Sequence, residues 1–138
     1  MREQDKDLLA EFGEAMLYSH LIEDMLKLVL RDAAFFHVNG YSAPAAPFQK
    51  MRLEDLIDEF GRAFPPADKM VDDLHRIRKI RNKLIHAFVP QVGSDLLTEE
   101  GRDQIHAMLG RFVRHASVHR KALGATFEAI AKRAVATD

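Results

Sequence analysis

Cysteine and tryptophan are absent from this 138-residue chain, and tyrosine occurs only twice. Without cysteine there is no disulfide scaffold, no thiol nucleophile and no thiolate metal site. This fits a reducing, cytoplasmic setting. Long hydrophobic runs are missing too. None reaches the ~18 residues that a membrane span needs, so no membrane association is expected. The opening residues Met1-Arg2-Glu3-Gln4-Asp5-Lys6-Asp7 are polar and partly acidic, unlike a secretory signal. Nor does either charge prevail: Lys and Arg number 20, Asp and Glu 21, for a net charge of −1. A nucleic-acid surface would therefore have to be a local patch. No repeat or low-complexity tract is present. The length suits one domain spanning residues 1–138, large enough to fold without a metal or disulfide.

What is present is helical periodicity. Leu8, Phe12, Ala15, Ser19, Ile22, Leu26, Val29, Ala33 and Phe36 step by three or four, which predicts a helix over about 5–38 that stops at Asn39-Gly40. Pro44 and Pro47 mark a loop. A second helix is predicted over about 51–64, with Leu53, Leu56, Ile57, Phe60 and Phe64 on one face and Glu54, Asp55, Asp58 and Glu59 on the other. Pro65-Pro66 ends it, and Pro66 suits the first turn of a third helix over about 67–88. Pro90, Gly93 and Ser94 mark a connection to a fourth over about 98–135, with Ile105, Met108, Phe112, Ala116, His119, Leu123, Phe127, Ile130 and Ala134 as its stripe and Gly110 and Gly124 as points where it could bend. The expectation is an all-α, antiparallel four-helix bundle.

The third helix carries the chemistry. Arg76-Ile77-Arg78-Lys79-Ile80-Arg81-Asn82-Lys83-Leu84-Ile85-His86 is strongly basic. Arg81 falls in the apolar stripe of Met70, Leu74, Ile77 and Leu84, where an apolar residue is the default. Arg-to-His spacings of this order also occur at Arg31–His37 and Arg114–His119, so spacing alone decides nothing. Asn82 directly after the arginine, the cations around it and the stripe position of Arg81 single out Arg81–His86. The three residue types suit metal-free RNA cleavage: a guanidinium for the phosphate, an amide to position, and an imidazole that titrates near neutral pH. On one helix Arg81 and His86 project about 140° apart, whereas Asn82 and His86 share a face. A composite site in a two-fold homodimer would bring both to one phosphate. Arg76, Arg78, Lys79 and Lys83 would hold backbone phosphates.

Blander readings stand beside these. Arg81 could form an interhelical ion pair with Glu23, Asp24 or Asp73, and His86 could be a satisfied structural histidine. The basic run could be a solvated face balanced by the acidic second helix. His115 and His119 have a spacing that can bind metal, but no third ligand lies at matching spacing, so no metal or other cofactor is expected.

The helix order together with Arg81-Asn82-Lys83-Leu84-Ile85-His86 resembles the HEPN superfamily, the higher-eukaryote and prokaryote nucleotide-binding helical domains. Their motif is Arg-x4-6-His, usually with a polar residue after the arginine. The resemblance covers most of the chain. It implies a metal-independent endoribonuclease of toxin–antitoxin or phage-defence type, with Arg81, Asn82 and His86 catalytic and RNA cut by 2′-hydroxyl attack. The partners it implies are a second copy, RNA, and an antitoxin or nucleotidyltransferase. Some toxins of the group carry a modifiable tyrosine two residues after the histidine; here that residue is Phe88, which has no hydroxyl. Ile77, Ile80, Arg81, Asn82, Leu84 and His86 also resemble mannitol-repressor-like regulators. The alternative is therefore a non-catalytic helical regulator that binds RNA, a nucleotide or a protein partner.

Overall fold

The computed structural model describes residues 3–88 and 98–136. They form four α-helices and, among these residues, no strand: α1 Glu3–Phe35, α2 Leu53–Ala63, α3 Asp68–Phe88 and α4 Glu99–Ala136. Three short 3-10 turns join them, Val38–Gly40, Phe48–Lys50 and Pro65–Ala67. The chain is an all-α four-helix bundle. Pro90, Gly93 and Ser94 lie outside the described residues.

The predicted stripes form the core. Leu8, Ala15, Ile22, Leu26, Val29 and Ala33 of α1 are buried against Ile105, Leu109, Phe112, Ala116, Leu123 and Ile130 of α4. Such apolar burial is the main favourable term holding the helices together. The α4 stripe is continuous across Gly110 and Gly124, and the helix neither breaks nor ends at either. Thr98 caps α4: its Oγ1 accepts from the Gly101 N–H at 2.9 Å, satisfying a donor that the first turn leaves open.

The end of α1 departs from expectation. The helix stops at Phe35, not Val38, because His37 (φ 50°), Asn39 (φ 53°) and Gly40 (φ 75°) adopt left-handed backbone. Phe36, expected in the core, stays 45% exposed and stacks edge-to-face on Phe35, which is 76% exposed. Asn39 Nδ2 donates to the Ala63 carbonyl at 3.0 Å, tying the ends of α1 and α2 together. A second departure is Glu59, expected on the solvent face of α2 but only 8% exposed. It accepts from the Tyr41 hydroxyl at 2.8 Å and from Arg62 at 2.7 and 2.6 Å. Its charge is thus paired and hydrogen-bonded, which burial requires. Tyr41, a loop residue, is buried with it.

The directions of the helices follow from the proline-bearing connection. It returns along α1, so that Pro47, Phe48 and Gln49 lie beside Asp24, Lys27, Leu28 and Arg31. α2 then runs the same way as α1, and its last turn reaches Asn39. α3 is antiparallel to α2: Asp58 meets His75, and Gly61 meets Val71. A Cβ on Gly61 would sit 3.2 Å from Val71 Cγ2, so the glycine permits this approach. α4 lies parallel to α1. Glu11 pairs with His106, and Glu14 shares a cleft with Gly110, Arg111 and Arg114.

Candidate functional site

Arg81 is directed by the α3 stripe toward the interior. Leu74, Ile77 and Leu84 of the same stripe are buried, and Arg81 is half-buried among them. Its Nε is fully desolvated and has no hydrogen-bond partner. A terminal nitrogen donates to Asn82 Oδ1 at 3.3 Å. Burial pulls the guanidinium below its ordinary pKa; the Glu23 carboxylate pulls it back up, and Arg78 pushes it down further. These directions follow from the desolvation cost of a charge and the sign of its neighbours.

The ion pairs weighed for Arg81 are not formed. Asp73 instead takes Arg76 at 3.7 Å and His119 at 3.3 Å. Glu23 lies 3.9 Å from Lys27 and acts on Arg81 only at longer range. His86 is exposed and makes no hydrogen bond or ion pair with a described residue, so it is not a satisfied core histidine. Asn82 is half-buried beside Arg81. The side chain of Phe88 lies outside the described residues.

The four cations assigned to backbone phosphates divide. Arg76, Arg78 and Lys79 line a cleft of about 400 Å³ between α2 and α3. Glu54, Asp58 and Asp72 line it too. Within it His75 Nε2 lies 2.8 Å from Asp58, and Arg78 Nε donates to His75 Nδ1 at 3.2 Å. The Arg78 contact assigns the lone pair to Nδ1 and the proton to Nε2. The pairing of His75 with Asp58 was not read from the sequence. The signal was the i, i+4 pair Glu54 and Asp58 on the acidic face of α2. Lys83 is exposed and free of described partners.

Elsewhere, His119 Nδ1 faces the His115 carbonyl at 2.7 Å and Nε2 faces Asp73, so neither ring nitrogen is open. Among the described residues no group of three His, Asp or Glu side chains could hold a metal, and no helix is long and apolar enough to cross a membrane. A cavity of about 720 Å³ lies between α1 and α4, and none of the motif residues lines it. No protein-family model matches this chain, and no curated protein or solved structure is significantly similar to it.

Proposed function

We propose that the chain is a metal-independent endoribonuclease of toxin–antitoxin or phage-defence type, acting as a two-fold homodimer with a HEPN-like site of Arg81, Asn82 and His86. The observation that carries this reading is the state of Arg81. It is a half-buried guanidinium with an unsatisfied Nε and, among the described residues, no carboxylate within ion-pair distance; its hydrogen bond is to Asn82. Such a group gains more from an incoming anion than an exposed, already paired arginine does. His86, exposed five residues on, supplies an imidazole, the side chain that most often serves as a general base.

In the reaction, His86 takes the proton of the 2′-hydroxyl. The oxygen attacks the adjacent phosphorus while Arg81 holds the charge that develops on the phosphoryl oxygens. The bond from phosphorus to the 5′-oxygen breaks, and that oxygen is protonated by the partner's imidazole or by water. The products are a 2′,3′-cyclic phosphate and a 5′-hydroxyl. Because Arg81 and His86 project about 140° apart on one helix, each site takes them from different protomers. Arg81→Ala and His86→Ala should each abolish cleavage with helical circular dichroism intact. Mixing the two inactive proteins should restore part of the activity, because a mixed dimer regains one complete site. No recovery from mixtures shown to exchange subunits would refute the shared site.

One observation favours the second reading, a non-catalytic helical regulator. Glu54, Asp58 and Asp72 share the cleft of Arg76, Arg78 and Lys79, which weakens the positive field of α3 next to the motif. Under that reading the helical bundle binds its ligand and RNA is not cut.

A further inference from the structure

Cations without an ion-pair partner among the described residues line α4 as well as the basic helix α3. Arg111, Arg114, Lys121 and Lys132 are exposed, and none makes an ion pair with a described residue. On α3, Arg76 is paired with Asp73 and Arg78 is engaged by His75, while Lys79 and Lys83 are exposed without an ion pair to a described residue. At 100° per residue the four α4 cations fall within about 80° of arc, on the side of the helix away from its buried stripe. From Arg111 to Lys132 they span about 30 Å at 1.5 Å per residue. Between Arg111 and Arg133 the sequence holds a single acidic residue, Glu128, which projects at the edge of this arc.

The surface between the cations is low. Ala122, Ala125 and Ala129 are exposed there, and Val118, 63% exposed, is the one larger apolar group. Low side chains leave the charged heads as the first groups that an approaching polyanion meets. An anionic bilayer is the poorer fit, because interfacial helices bury several bulky apolar residues between their cations and this face offers only Val118. At the near end Arg111 and Arg114 rim the cleft of about 720 Å³, which Glu11, Glu14 and Asp103 also line. Those carboxylates repel phosphate, so a backbone would follow the cation line and stay out of the cleft.

We propose that the outer face of α4, along Arg111, Arg114, Lys121 and Lys132, is a track for the phosphate backbone of single-stranded RNA. The choice of RNA rests on the function proposed above; the binding does not depend on cleavage. Each phosphate neutralised on a single strand contributes about 0.7 to the slope of log affinity against log salt. Four contacts therefore contribute about three.

The test measures binding by fluorescence anisotropy of a labelled single-stranded RNA, across a salt series, in a His86→Ala background. R111Q/R114Q/K121Q/K132Q should bind at least tenfold more weakly near 100 mM salt and lose about two to three units of slope. K121Q/K132Q alone should lose about half as much, so a folding failure of the quadruple variant would not hide the effect. RNA bound by both variants within twofold of the parent, with unchanged slope, would overturn the track. So would unchanged RNA affinity combined with loss of a dimer by light scattering, which would assign the face to the acidic part of α1 in a second copy. Cleavage by the unmodified protein is measured alongside. RNA bound through α4 but never cut refutes the ribonuclease and keeps the track; RNA cut with the variants unaffected does the reverse. No RNA binding by the parent refutes both.

Discussion

Arg81→Met should stabilise the fold while destroying the activity. Methionine keeps most of the apolar stem, so packing beside Leu74, Ile77 and Leu84 is retained. What it removes is a charged group with a fully buried Nε that has no acceptor. Leaving a buried donor unsatisfied costs about 1–3 kcal/mol, more when it is charged. The attraction of Glu23 and the hydrogen bond to Asn82 offset part of that cost, so the lower end applies, about 1 kcal/mol gained. For a chain of this size that raises the thermal midpoint by roughly 3–4 °C. Because the depressed pKa belongs to a cation, the penalty is constant at all ordinary pH values and is relieved only near the alkaline point where the guanidinium would lose its proton. The assay is urea and thermal unfolding followed by circular dichroism, beside RNA cleavage. A variant destabilised by more than about 1 kcal/mol would show that Arg81 is a structural residue and remove the ground for assigning it to phosphate.

Other outcomes follow from the same geometry. His86→Ala should leave stability within about 0.5 kcal/mol, since the side chain is exposed and unpartnered among the described residues; a large loss in the same unfolding assay would contradict that placement. Tyr41 is held protonated well above the usual tyrosine range, first by burial and then by its hydrogen bond to Glu59. The unfolded chain ionises near pH 10 and the folded one does not, so stability should fall as pH rises past 10. Ultraviolet titration should find Tyr41 resistant until the protein unfolds, and early ionisation of both tyrosines would refute this. Thr98→Ala should cost about 1 kcal/mol through loss of the α4 cap, and Phe112→Ala about 3–5 kcal/mol through the cavity it leaves between α4 and α1; unfolding midpoints check both.

Much of the fold was legible because period and punctuation agree. The three-and-four spacing located α1, α3 and α4. The starts of α3 and α4 came within a residue or two, where Pro65-Pro66 supplies a break and Thr98 a cap. The end of α1 was harder to read, because Asn39-Gly40 marks the turn but not the earlier left-handed step at His37. The buried Tyr41–Glu59–Arg62 group was illegible for a different reason. A carboxylate on a polar helix face is buried only when a distant loop brings a hydroxyl to it, and no local pattern records that. At the candidate site, Arg81 in an apolar stripe was a correct signal for a half-buried cation, and Asn82 beside it is its hydrogen-bond partner. The exposure of His86 could not be read from α3 alone. Around the basic run, the i, i+3 pair of Asp73 with Arg76 lies within α3 itself, whereas Asp58 meets His75 only once α2 and α3 pack.

The end chemistry of the RNA products tests the central claim most directly. The protein is incubated with RNA in excess chelator, and fragment ends are read by mass spectrometry. The account predicts 2′,3′-cyclic phosphate and 5′-hydroxyl ends, absent with His86→Ala and absent when the scissile nucleotide is 2′-deoxy. No cleavage, cleavage that needs a divalent metal, or cleavage that survives His86→Ala would contradict it.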